Sequence, residues 1–207
     1  MVTIPYPNYV IKDTIYSDRS TFIEELSIDK RTILEIELKN NSNKITTFIL
    51  MNPSSADSTL SDATINLLLE YAYYKTDTGK ARFVNVYPIC EGSDIQEVLK
   101  SVVNHSESMY TAVQEMNLNK IKNCIKDANR IYLATGNPIR IKEHRKVMHL
   151  LNGKEKICYG LIFKDYDRIS PKHCAYHPSR KAWGLDYIEG EFLFFHYCHY
   201  WNNIKLK

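Results

Sequence analysis

The chain has 207 residues, 44% hydrophobic and 25% charged, with a formal net charge of +3. That length suits one domain with a sizeable core, and the composition excludes a disordered or fibrous chain. A pI near 8.5 is mildly basic; it permits nucleic acid without demanding it, so any phosphate-binding face has to be local.

The 5 Cys (Cys90, Cys124, Cys158, Cys174 and Cys198) form no close CxxC pair. An odd number without such spacing argues against a disulfide framework or a zinc site and for a reducing compartment. His173, His196 and His199 have no metal-ligand spacing, so no metal and no cofactor is expected. The start of the chain lacks a charged-then-apolar signal pattern, and no apolar run reaches membrane length. The expectation is a cytoplasmic monomer with no membrane contact. The 15 Tyr fit half-buried rings, or rings that stack on bases or line a pocket.

In chain order, residues 1–30 read as an N-terminal extension with a short helix at Ser20–Leu26. "RTILEIEL" (Arg31–Leu38) alternates as a half-buried strand, "KNNSNK" is a polar turn, and "ITTFILM" (Ile45–Met51) is a more continuously apolar strand. These two strands are expected to form a hairpin. "SDATINLLLEYAYYK" (Ser61–Lys75) reads as a helix with a polar N-terminal cap, and "ARFVNVYPI" as a buried strand interrupted by Asn85. A polar helical region spans Asp94–Asp127. "RIYLATGN" (Arg130–Asn137) is another apolar strand, "IKEHRKVMHLL" a helix with basic and apolar faces, and "EKICYGLIF" and "HCAYHPSR" further strand material. The segment 184–207 is aromatic and strand-like. No repeat or low-complexity linker divides residues 1–207, so one domain is expected.

Strands alternating with helices predict an α/β fold with a mainly parallel central sheet. In such sheets ligands bind beyond the carboxyl ends of the strands. Three apolar strands end in polar punctuation here: Asn52-Pro53, Asn85 before Tyr87, and Gly136-Asn137; a fourth segment ends in "YHPSR". Parallel neighbours would bring these ends to one rim. Taken singly, Asn52-Pro53 also reads as a turn, Asn85 as a satisfied core amide, and His177-Pro178-Ser179 as a turn with a helix cap. Asp57 reads as a turn closer and Asp62 as a helix cap, or one of them orders the Asn52 loop or polarises a water there. The basic helix at 140–149 reads as a solvated face or a DNA contact.

The order of "LMNPSSAD", "RFVNVYPI", "RIYLATGN" and "YHPSR" resembles the uracil-DNA glycosylase superfamily, whose motifs take the forms G-x-N/D/A-P and H-P-S. "MNPSSADSTLSDATI" is also similar to a bacterial family with an LNPSTAD…DDPTI signature, common in phages and mobile elements. The first resemblance implies a three-layer α/β/α sandwich and a cofactor-free enzyme acting on uracil-containing DNA, single- or double-stranded. It also admits a proteinaceous glycosylase inhibitor as a partner. The catalytic set it implies is Asn52, His177 and Asp57. His177 would donate to the departing uracil O2, a type of contact that supplies about 3–4 kcal/mol. Asn52 would hold the attacking water, and Asn85 would read uracil through N3–H and O4. Met51, Pro53, Ser54, Asp62 and Tyr87 complete the substrate pocket. Ser55, Gly136, Asn137, Ser179, Arg180, Lys181 and Trp183 are the implied DNA contacts.

Three departures stand out. Ser54 occupies a frequent Gly position, no aromatic ring follows closely after Asp57, and Arg180-Lys181-Ala182-Trp183 replaces an apolar wedge. Tyr71, Tyr73, Tyr74, Tyr87, Arg180 or Trp183 are the candidates to supply the missing stack. Two other function classes fit the same residues: a silent nucleic-acid-binding module, and a hydrolase or transferase of free nucleosides or nucleotides.

Overall fold

A run of seven residues, Lys44–Leu50, buries its last five side chains and forms the middle of the sheet. The computed structural model describes residues 3–90, 94–161 and 192–194. In chain order the elements are β1 (Tyr16–Ser17), β2 (Ser20–Ile23), β3 (Ile28–Lys30), β4 (Leu34–Glu37), β5 (Lys44–Leu50), α1 (Ala63–Lys75), β6 (Thr78–Asn85) and α2 (Ile95–His105), followed by α3 (Glu107–Lys126), β7 (Arg130–Leu133), α4 (Ile141–His149), β8 (Cys158–Leu161) and β9 (Phe192–Phe194). Among the described residues the main sheet has seven strands in the order β1-β4-β6-β5-β7-β8-β9, and β2 and β3 form a separate pair. The four strands β6, β5, β7 and β8 are parallel to one another. β4 and β9 flank them antiparallel, and β1 pairs antiparallel outside β4. The fold is α/β with a mostly parallel, mixed central sheet.

Alternation along the strands sends side chains to two separate cores. Phe48, Leu50, Ala81, Phe83, Tyr132 and Ala134 pack with Ile65, Leu68, Leu69 and Ala72 of α1. Ile49, Met51, Val84, Val86, Ile131 and Leu133 pack with α2, α3 and α4 through Leu99, Val113, Ile121 and Val147. Strands buried on both faces read as continuous apolar runs, which is why β5 lacks a clean polar face.

Two expectations are corrected. The strand at Arg31–Leu38 does not form a hairpin with β5: β4 pairs with β6, in register Leu34↔Phe83 to Glu37↔Lys80, and β5 lies on the far side of β6. β4 is amphipathic, its Glu35 bonded by Lys80 and Arg82 across the ladder, whereas β5 is apolar enough for the centre. The turn that follows β4 therefore has to cross the start of β6. It does so at Gly79, whose carbonyl accepts from Leu38 N–H at 2.8 Å. A Cβ there would stand 1.7 Å from the Ser42 carbonyl oxygen. The second correction is the short helix at Ser20–Leu26. Residues 20–23 are strand β2, reversed through a turn with Ser27 at φ 51 into β3. Thr21, Phe22 and Ile23 favour a pleated surface over a helix.

The polar helical region divides at Ser106. Its N–H closes α2 on Val102, and its hydroxyl accepts from Met109 N–H at 3.3 Å to cap α3. No described helix is long and apolar enough to cross a membrane. Cys90 is half-buried, and Cys124 and Cys158 are buried free thiols.

Candidate functional site

The carboxyl ends of β5, β6 and β7 lie side by side. Leu50 is registered with Asn85, Val86 and Tyr87 donate their N–H groups to Leu50 and Met51, and Ala134 donates to Ile49. Asn52, Asn85 and Gly136 therefore follow three adjacent strands onto one rim. Met51 and Pro53 are buried, and Asn52 is half-buried with its amide donating to the Pro53 carbonyl at 3.2 Å.

The loop after Pro53 is held from below by residues of the N-terminal segment. Three successive carbonyls are gripped by three side chains. Arg19 donates to Ser55 at 2.9 Å, Arg31 to Ala56, and the Tyr6 hydroxyl to Asp57 at 2.6 Å. Arg31 is wholly buried, and among the described residues its Nε and Nη2 find no partner. Burial pulls its pKa below the ordinary arginine value, opposed by Cys90, Asp62 and Tyr6. Burial likewise pushes the Tyr6 hydroxyl up.

Both aspartates of the loop have local work. Asp57 Oδ1 accepts from the N–H groups of Thr59 and Leu60 at 2.7 and 3.0 Å and from the Thr59 hydroxyl. Burial opposes its ionisation, but these donors and Arg19 hold its pKa below the usual carboxylate range. Asp62 caps α1 through Thr64 and Ile65 N–H at 2.8 and 3.0 Å, and its second oxygen accepts from the Ser54 hydroxyl. Asp57 closes a turn, and Asp62 ties the Asn52 loop to the helix. The Ser55 hydroxyl is buried without a partner among the described residues.

Asn85 is the most unusual group on the rim. It is 0% exposed, and neither its amide nitrogen nor its amide oxygen finds a partner among the described residues. Native proteins pair the great majority of such atoms, and each unpaired one costs about 1–3 kcal/mol. Tyr87, two residues on, is fixed. Its hydroxyl accepts from Arg140 N–H at 2.7 Å and donates to the Arg140 carbonyl at 3.2 Å, and its ring is 0% exposed. Burial raises its pKa. Tyr87 thus offers no open face for stacking.

Tyr71, Tyr73 and Tyr74 sit late in α1, at the opposite end of the sheet. The Tyr73 carbonyl accepts from Asn40, which also bonds Thr78 at the start of β6. Tyr73 stacks on Tyr9 at 4.5 Å, and Tyr71 packs edge-on against Tyr132. The structure does not bring these rings to the rim.

At the end of β7, Gly136 adopts φ 67, a conformation that favours glycine. Thr135 is buried beside His144 of α4, its Oγ1 3.1 Å from Nε2. Burial lowers the His144 pKa to about 4, so the ring is neutral near pH 7. His144, Val147 and Met148 form the buried side of this helix, while Lys142, Lys146 and His149 are exposed. Next to Val86 and Arg140 opens a cleft of about 190 Å³, lined also by Tyr110, Gln114, Glu143 and Lys146. The Arg140 guanidinium lies over the Tyr110 ring, 5.3 Å from its centre.

His177, Ser179, Arg180, Lys181 and Trp183 lie outside the described residues. Among the described residues no group of three or more His, Cys, Asp or Glu could hold a metal ion. Tyr6, Arg19, Arg31, Asn117 and His144 belong to none of the sequence motifs at the rim, and Thr135 lies inside the RIYLATGN strand. Arg31 begins a strand and reads as an exposed flank. Asn117 and His144 had a usable signal, since each falls on the apolar stripe of its helix.

A family model described as "Protein of unknown function (DUF1643)" matches residues 31–178, and the chain belongs to that family. No curated protein matches, and no solved structure matches.

Proposed function

We propose that this member of the DUF1643 family is a DNA glycosylase that hydrolyses the N-glycosidic bond of uracil with the base turned out of the stack. The observation that carries the reading is the Asn85 amide, buried at the carboxyl end of a central parallel strand, its nitrogen and oxygen without a partner among the described residues, on the strand next to the one that leads into Asn52. Such an amide offers its NH2 group as donor and its oxygen as acceptor, and because the side chain is 0% exposed a base reaches them only when the rim opens over it. Uracil presents N3–H and O4 to them, and cytosine presents the reverse pattern. A sandwich of the uracil-DNA glycosylase type, with His177 completing the site, belongs to the same reading.

In this mechanism the base departs as an anion while positive charge builds on the sugar. Asn52 holds the attacking water, for which little base strength is needed against an oxocarbenium-like centre. Asp62 and the three clamped carbonyls keep the Asn52 loop in place. His177 donates to the uracil O2.

A labelled oligonucleotide containing one uracil, treated with the protein and then hot alkali, is expected to break at that position. Asn52→Ala should slow cleavage about 10²-fold or more with DNA binding little changed. Asn85→Asp should lose uracil and gain weak cytosine cleavage. Salt is held fixed throughout, because phosphate contacts make affinity salt-dependent. Cleavage of uracil by both variants at the parent rate would leave Asn52-Pro53 as a turn and nothing more. Release of uracil from the free nucleoside but not from the oligonucleotide would move the reading to a nucleoside hydrolase, and binding without cleavage to a silent module.

A further inference from the structure

The buried stripe of α3 reads Tyr110, Val113, Asn117, Ile121, Cys124, Ile125. These positions share one helix face, and five of the six are hydrophobic. Asn117 is 1% exposed within it, where a leucine would bury more apolar area but would leave two backbone carbonyls without this donor. Its Nδ2 donates to two successive carbonyls, Asn85 at 2.9 Å and Val86 at 3.2 Å. Its Oδ1 has no partner among the described residues.

Those two carbonyls sit where β6 loses a neighbour. The β4 ladder ends at Leu34↔Phe83, two residues before Asn85, while β5 still pairs at Leu50↔Asn85. Among the described residues the peptide carrying Asn85 is therefore held by a strand on one side and by the Asn117 side chain of α3. Among the described residues the Asn85 side chain has no partner that would orient it. Its direction depends on its backbone, and that backbone is anchored by Asn117.

We propose that Asn117 is a positioning residue for base selection. Its amide fixes the Asn85–Val86 peptide, so that the Asn85 amide presents one donor and one acceptor in a single orientation. The proposal rests on the reading of Asn85 as the base-recognising group. It differs from a packing role because the residue that would pack best there is apolar.

The test uses the full chain with Asn117→Leu and Asn117→Asp. Leucine fits the stripe, and aspartate keeps the shape while removing the donors. Two readouts are needed. In ¹⁵N-resolved NMR the Asn85 side-chain amide should give one sharp pair in the parent and broadened or multiple signals in both variants. In oligonucleotide assays, uracil turnover should fall about tenfold and discrimination against cytosine should narrow, with affinity for uracil-free DNA unchanged. An unchanged Asn85 signal in a folded variant, or parent turnover and discrimination in both variants, overturns the positioning role. A parent that excises no uracil overturns the base-selection claim together with the glycosylase reading. In that case the NMR comparison still decides whether Asn117 orders Asn85.

Discussion

His144 shows how one side chain links folding to pH. Its folded pKa is lowered from 6.5 to about 4 by burial. Between those values the unfolded chain binds the proton and the folded chain does not, so stability falls as pH drops through that window. The full effect is about 3 kcal/mol on the linkage relation. Urea midpoints at pH 7 and pH 4.5 should differ in the parent, and His144→Gln should flatten that difference; an equal pH slope in the variant would show that His144 is not the group responsible. At this scale the candidate site was partly legible. Asn52, Asn85 and Gly136 carry a visible signal because a polar residue interrupts an apolar strand. Arg31 does not, because an arginine beginning a strand looks the same whether its guanidinium reaches water or the Ala56 carbonyl.

The element scale is where an expectation failed for a clear reason. β4 and β5 are neighbours in sequence, separated by a short polar turn, which is the usual pattern of a hairpin. The hydrophobic pattern records that β5 is buried on both faces but does not say which strand lies beside it. β6 inserts between them, and the β4–β5 connection passes over Gly79. Gly79→Ala is therefore expected to destabilise the fold by about 1–3 kcal/mol or more, because the new Cβ meets backbone that cannot rotate away. A thermal midpoint within a degree of the parent would show that the turn moves freely. The helices were read more faithfully. α1 has its cap at Asp62, and the apolar spacing that follows is local to the segment.

For the whole molecule, the sheet order sets a gradient of protection. β5 has partners on both edges and α-helical cover on both faces, whereas β1 is two residues long at the sheet's margin. Hydrogen exchange should find the Phe48–Leu50 amides among the slowest and those of Tyr16 and Ser17 among the fastest. Exchange of β5 at the rate of β1 would contradict a central place for it. The rim opens at the carboxyl ends of the same protected strands, so Asn85 is carried by a rigid part of the fold while the loop that holds Asn52 depends on side-chain clamps.

The sequence by itself determined the class of fold, the apolar strands, the helix start at Asp62, and the polar residues that stop three strands. These are local properties, written in periodicity and in cap chemistry. Only the tertiary structure decided that β6 separates β4 from β5, that Tyr6, Arg19 and Arg31 converge on one loop, and that Asn117 reaches across to the end of β6. Such contacts join residues 25 to 51 positions apart. Their partners are chosen by packing in three dimensions, and no local pattern of charge or hydrophobicity encodes that choice.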